Sequence, residues 1–120
     1  MLNLDTHIVV FLMGRTLSAQ EYDCVAEEEL AISDIVLWEL AMLANYGRLV
    51  FDLDDPAFRS FIEAVTVFPI TLEIARQSTR LDFSSDPADQ IIAATSIVER
   101  VPLLTRDERI RKSRLVPLAI

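Results

Sequence analysis

The spacing of hydrophobic positions changes repeatedly along the chain, and each change marks a new element. The opening "LNLD" (residues 2–5) is a short apolar run closed by an acid and reads as a buried strand. "THIVVFL" follows directly at helical spacing, and Gly14 ends that unit. "SAQEYDCVAEEE" reads as a helix, with Ser18 as N-cap and Glu21 three residues on as the partner in a capping box. "LAIS" is a second short strand, and "IVLWELAMLANYG" a helix running to a terminal Gly47. "DDPAFRSFIEAV" opens a helix on acid and proline signals, "TVFPI" is a strand or extended link, and "TLEIARQSTRL" is a helix capped by Thr71. In "SSDPADQIIAATS" (84–96), Asp86 stands where an N-cap belongs and Pro87 where a helix begins. That Ala-rich helix runs to about Arg100, and Pro102 marks its end. "PLLT" is a strand, "RDERIRKS" a loop and short helix, and "LVPLAI" a final strand.

Short apolar strands alternating with helices predict an α/β fold: a three-layer sandwich with a short parallel sheet flanked by helices. The 120 residues suit one domain, 1–120, with no repeat, low-complexity tract or linker. Sites in such sheets collect beyond the carboxyl ends of the strands. Asp5 ends the first strand, and Asp107 lies just past "PLLT". Glu39 lies one to two turns into the helix after "LAIS", and Asp89 opens the helix before "PLLT". The topology therefore directs four distant acids to one sheet edge.

Clustered carboxylates repel one another, and without compensation some stay protonated at neutral pH. A divalent cation resolves the conflict. With one histidine and one cysteine in the chain, an ordinary structural zinc site is excluded. Oxygen donors point instead to hard cations, Mg²⁺ or Mn²⁺. Such an ion lowers the pKa of its water and polarises a phosphodiester, which needs no histidine base.

Charge and composition then qualify the picture. The net charge of −8 argues against a polyanionic partner, but its distribution is uneven. Residues 1–63 carry twelve acids and three arginines, for −9; residues 64–120 carry seven acids and eight bases, for +1. Six of those bases fall between Arg100 and Arg114, so the C-terminal part can meet a polyanion that the N-terminal part repels. The chain is 52% hydrophobic with mean hydropathy +0.33, a surplus that suggests a patch covered by a partner or a second copy. A lone Cys24 excludes an internal disulfide framework and fits a reducing, cytoplasmic setting. The opening "MLNLDTHIVVFLMG" has no basic leader and is interrupted by Asp5, so neither a signal peptide nor a membrane span is expected.

Taken together, these segments resemble a PIN domain in its toxin branch, the VapC-type ribonucleases of toxin–antitoxin pairs. "LNLDTHIVVFL" resembles the family's opening strand, aspartate, threonine and helix. "AISDIVLWELAMLANYGRL" resembles its second motif, with Glu39 as the acid. "SDPADQIIAATSIVERVPLLTRDERI" is the most specific match and covers Asp89 and, through "TRD", Asp107. The resemblance implies a Mg²⁺- or Mn²⁺-dependent endoribonuclease in which water attacks an RNA phosphate, leaving a 5′-phosphate and a 3′-hydroxyl. It implies Asp5, Glu39, Asp89 and Asp107 as the metal-centre acids, the last acting directly or through water. Thr6, Thr105 and Asp86 are the supporting groups. It also implies a cognate antitoxin that blocks the site, and assembly as a homodimer or a toxin–antitoxin hetero-oligomer. Two positions depart from the pattern. Val36 stands where Ser or Thr often precedes the glutamate, and Gln90 where Arg often follows the third acid.

Plainer readings stand beside these. Asp5 is also placed to cap a helix, and Asp86 reads as a cap before it reads as a ligand. Asp107 also suits a turn. Helical neighbours at 35, 38, 42 and 43 predict a partly buried Glu39. His7 reads as a structural histidine and Trp38 as core or interface filling. The run Glu27–Glu29 is simplest as a solvated helix end. The basic residues between 106 and 114 suit RNA-backbone contact or a solvated face. Rival functions are a non-catalytic PIN-fold binding module and another Asp-rich metal enzyme. A phospho-accepting receiver would need a lysine close to the acids, and the only lysine, Lys112, follows a basic loop.

Overall fold

Four parallel strands form the middle of the computed structural model, which describes residues 1–120. They are β1 (Leu2–Leu4), β2 (Leu30–Ser33), β3 (Thr66–Phe68) and β4 (Leu103–Leu104), in spatial order β3-β2-β1-β4. Asn3 of β1 is in register with Ala31 of β2 on one side and Leu103 of β4 on the other. Parallel neighbours require crossovers, and the helices supply them. These are α1 (Thr6–Met13), α2 (Ala19–Ala26), α3 (Asp34–Asn45), α4 (Pro56–Ala64), α5 (Leu72–Ser78), α6 (Pro87–Glu99) and α7 (Glu108–Arg111). Helix α6 packs on α5, α3 and β2. The predicted parallel α/β architecture is the one observed.

Burial on both faces explains why β1 and β2 read as continuous apolar runs rather than alternating ones. Leu4, Ile8, Ile32, Ile92, Leu104 and Ile110 come from six elements and are all fully buried in one core. Each such side chain contributes roughly 1.5–3 kcal/mol of transfer free energy. The polar exceptions are Asn3 and Ser33, both buried; Asn3 donates to Ser96 Oγ at 2.9 Å, tying β1 to α6.

The local signals act as their chemistry requires. Ser18 accepts from Glu21 N at 3.1 Å while the Glu21 carboxylate accepts from Ser18 N at 2.8 Å, a complete capping box. Thr71 caps α5 through Ile74 N. Gly47 sits at φ +67°, and the N–H groups of Gly47 and Arg48 return to Ala44 O and Leu43 O, which closes α3.

One expectation needs correction. "LVPLAI" does not form a final strand: only Leu118 bridges Leu103, flanked by bonds from Leu103 N to Pro117 O and from Ala119 N to Leu103 O. Pro117 lacks the N–H that a longer ladder needs.

Candidate active site

Asp5 is placed by the first strand. Its backbone N–H completes the β1–β4 ladder on Leu104 O, and its carbonyl starts α1. The carboxylate is therefore fixed at the strand's carboxyl end, and only 1% of the residue is exposed. Oδ1 accepts the Thr6 N–H at 2.8 Å and Oδ2 accepts the Thr105 hydroxyl at 2.6 Å. A helix cap and a long-range bond to Thr105 thus coexist in one side chain.

The two threonines link the acids. The Thr6 hydroxyl donates to Glu39 Oε1, so one residue bonds Asp5 through its backbone and Glu39 through its side chain. Thr105 bonds Asp5 through its hydroxyl, and the same oxygen accepts the Asp107 N–H at 3.0 Å. Asp107 is the N-cap of α7, its Oδ1 accepting from Arg109 N at 2.9 Å and Ile110 N at 3.1 Å. Asp89, in the first turn of α6, accepts the Ser85 hydroxyl at 2.8 Å.

Burial pushes the Glu39 carboxyl up from its ordinary value, against the opposing Thr6 hydrogen bond, and the negative charges of Asp89, Asp5 and Asp86 push it further. Asp89 is raised in the same way, first by burial and then, against the Ser85 bond, by Asp5, Asp107 and Asp86. The sequence-predicted acids thus feel one another's charge at one end of the sheet. No three His, Cys, Asp or Glu side chains stand in a ready-made cation cage.

Asp86 departs from its expected role. It occupies the N-cap position of α6, but its exposed side chain makes no capping bond. Its charge instead reaches both Glu39 and Asp89. Gln90 forms a local clamp: Oε1 accepts Ser85 N at 3.0 Å and Nε2 donates to Ser78 O at 2.9 Å. Val36 is fully buried core. Trp38 is 57% exposed, which removes it from the core.

Sequence reasoning missed a group beside these acids. Arg106 forks onto the buried Glu21, Nε to Oε2 at 2.8 Å and Nη2 to Oε1 at 2.6 Å, and its guanidinium lies 4.1 Å over the Phe11 ring. Hydrogen bonds from Arg106 and Ser18 hold the Glu21 carboxyl down to about 2 despite its burial. The Arg106 backbone N–H donates to His7 Nε2 at 2.8 Å. The capping box disclosed half of Glu21's role; nothing local in the sequence discloses a partner 85 residues away.

The chain belongs to the PIN domain family, whose profile matches residues 3–114. It is 34% identical over 90 residues to Ribonuclease VapC22 of Mycobacterium tuberculosis, a match covering 72% of this chain and 69% of that protein. Its fold is similar to one in a toxin–antitoxin complex from Klebsiella pneumoniae, with TM-score 0.74, 21% identity, and 100% and 98% of the two chains covered. It is similar also to one in VapBC2 of Rickettsia felis bound to a promoter DNA fragment, with TM-score 0.72, 18% identity, and 98% and 97% covered.

Proposed function

We propose that this chain is a VapC-type endoribonuclease toxin that hydrolyses RNA phosphodiesters with Mg²⁺ or Mn²⁺ and is neutralised by a cognate antitoxin. The observation that carries the reading is a set of acids at the carboxyl end of a parallel sheet: Asp5, Glu39 and Asp107 joined through Thr6 and Thr105, with Asp89 within reach of their charge. Kinship with the ribonuclease VapC22 supplies the substrate class.

The donor chemistry fits a hard cation. The available donors are carboxylate and hydroxyl oxygens, and the negative charge on Glu39 and Asp89 is uncompensated by any base on the site. Asp5, Glu39 and Asp89 would hold the ion, with Asp107 acting directly or through water. When bound, such an ion makes water a nucleophile at neutral pH and polarises the scissile phosphate. The protein's part is orientation. Thr6 and Thr105 fix the carboxylates of Asp5 and Glu39, and Ser85 fixes that of Asp89.

The exposed apolar residues Leu37, Trp38 and Tyr46, on and just after α3, support assembly with an antitoxin or a second copy. No helix is long and apolar enough to cross a membrane.

The test is cleavage of a mixed structured-RNA pool by partner-free protein, with Mg²⁺ or Mn²⁺ against EDTA. Wild type is expected to cut only with metal, and Asp5→Asn and Asp89→Asn to lose at least ~10²-fold in rate. Cleavage that persists in EDTA or in both variants would refute the proposal.

A further inference from the structure

His7 lies outside the set of acids, yet it joins two parts of the site from separate elements. Its Nε2 accepts the backbone N–H of Arg106 at 2.8 Å. A ring nitrogen that accepts a hydrogen bond carries no proton, so the ring's hydrogen belongs on Nδ1. Nδ1 stands 3.7 Å from Asp5 Oδ2. That is too long for a direct hydrogen bond, so the ring lies beside the buried carboxylate without bonding it. One imidazole on the first turn of α1 therefore faces Asp5 with one nitrogen and holds the β4–α7 loop with the other.

The loop it holds is short and consequential. Arg106 is flanked by Thr105, whose hydroxyl bonds Asp5, and by Asp107, whose N–H bonds that hydroxyl. Neither neighbour can shift without moving residue 106. Residue 106 is tied twice: its backbone to His7, its side chain to Glu21 on α2 and over Phe11 on α1. Phe11 also meets the His7 ring edge-on, with centroids 6.1 Å apart, which restricts the imidazole's rotation.

We infer that His7 is a positioning residue: by accepting the Arg106 N–H it sets the Thr105–Asp107 loop, and so the placement of Asp107 and of the Thr105 hydroxyl against Asp5. It binds neither metal nor RNA in this role. The inference rests on the nuclease reading for its effect on rate, but its geometric half does not.

What matters is an acceptor at the position of Nε2. In His7→Gln the amide oxygen reaches about as far as Nε2 and accepts the same N–H; His7→Leu keeps the apolar volume and removes the acceptor. The test pairs cleavage kinetics at saturating Mn²⁺ with hydrogen exchange at the Arg106 amide, on metal-free protein whose folding is checked by circular dichroism. His7→Leu is expected to lose ~10-fold or more in kcat, with KM for RNA moved much less, and to exchange the Arg106 amide faster. His7→Gln is expected to recover to within ~3-fold of wild type in rate and to protect the amide again. If His7→Leu does not fold, His7→Asn, whose side chain stops short of the Arg106 N–H, takes its place. A wild-type rate in His7→Leu, or equal impairment of Leu and Gln, would overturn the inference and leave the nuclease reading intact. If wild type cuts no RNA, the nuclease reading falls, and amide protection alone decides: equal exchange in wild type and His7→Leu overturns the positioning role, and faster exchange in the variant upholds it.

Discussion

Asp5 shows how one side chain serves two ends. It caps α1 through Thr6 N and accepts the Thr105 hydroxyl, so one carboxylate both starts a helix and anchors the segment after β4. Glu39 and Asp89 carry the opposite tension. Both bind their protons more tightly in the folded than in the unfolded chain. For an acid of raised pKa, stability is greatest below its ordinary value and falls as the pH rises through the raised one. The metal-free protein is therefore expected to lose stability as the pH climbs from about 4 through the raised values of these two groups. Glu39→Gln keeps an oxygen for the Thr6 hydroxyl and removes the charge. In thermal melts at pH 7 in EDTA it is expected to raise Tm by a few degrees while abolishing cleavage. A lower Tm would show that the charge on Glu39 is already compensated. Thr105→Val strips the buried Asp5 Oδ2 of its donor and the Asp107 N–H of its acceptor; urea melts are expected to show a loss of about 1–3 kcal/mol.

At the scale of elements, the signals that succeeded in the sequence were those whose chemistry is local. "LAIS" is a strand at its predicted bounds, Ser18–Glu21 a capping box, and Pro87 the first residue of its helix. What failed needed information from elsewhere in the chain. "LVPLAI" has strand composition, but Pro117 limits its pairing to a single bridge. Asp86 sits at a cap position without capping. The Arg106–Glu21 pair links a loop to α2 across 85 residues, and no pattern in either segment announces it. Its consequence is testable. A depressed carboxyl pKa contributes stability that is present above the ordinary value of 4.5 and is lost as pH falls toward about 2. Arg106→Ala is expected to cost about 2 kcal/mol at pH 7, because Glu21 stays buried without its partner. That deficit should shrink across this acid window in urea melts at stepped pH, and a pH-independent deficit would count against the ion pair. At the end of α6, Arg100 takes the left-handed conformation at φ 58°, so Arg100→Gly is expected to gain up to ~1 kcal/mol.

Across the whole molecule, four acids from distant segments were legible as neighbours because parallel topology fixes where strand ends lie. What holds these carboxylates was legible only in part: Thr6 and Thr105 were named as supporting groups, whereas nothing in the sequence singled out the Ser85 hydroxyl that bonds Asp89. The apolar surplus pointed to a covered patch on the helices of the N-terminal half, without fixing which residues expose it. Periodicity put Trp38 among the apolar neighbours of Glu39, whereas the fold leaves it 57% exposed. As the only tryptophan, it reports directly on whatever covers it. Its emission is expected to be that of a solvated indole in dilute partner-free protein and to move to the blue on assembly. Emission unchanged across a concentration series and on partner addition would place the contact elsewhere.

The claim on which the functional account turns is that these acids hold a hard divalent cation. Its most direct test is titration of folded, metal-free protein with Mn²⁺, followed by electron paramagnetic resonance, for wild type and Asp89→Asn. Wild type is expected to bind saturably, and the variant at least ~10-fold more weakly. Equal Mn²⁺ binding by the two proteins, or none by either, would contradict it.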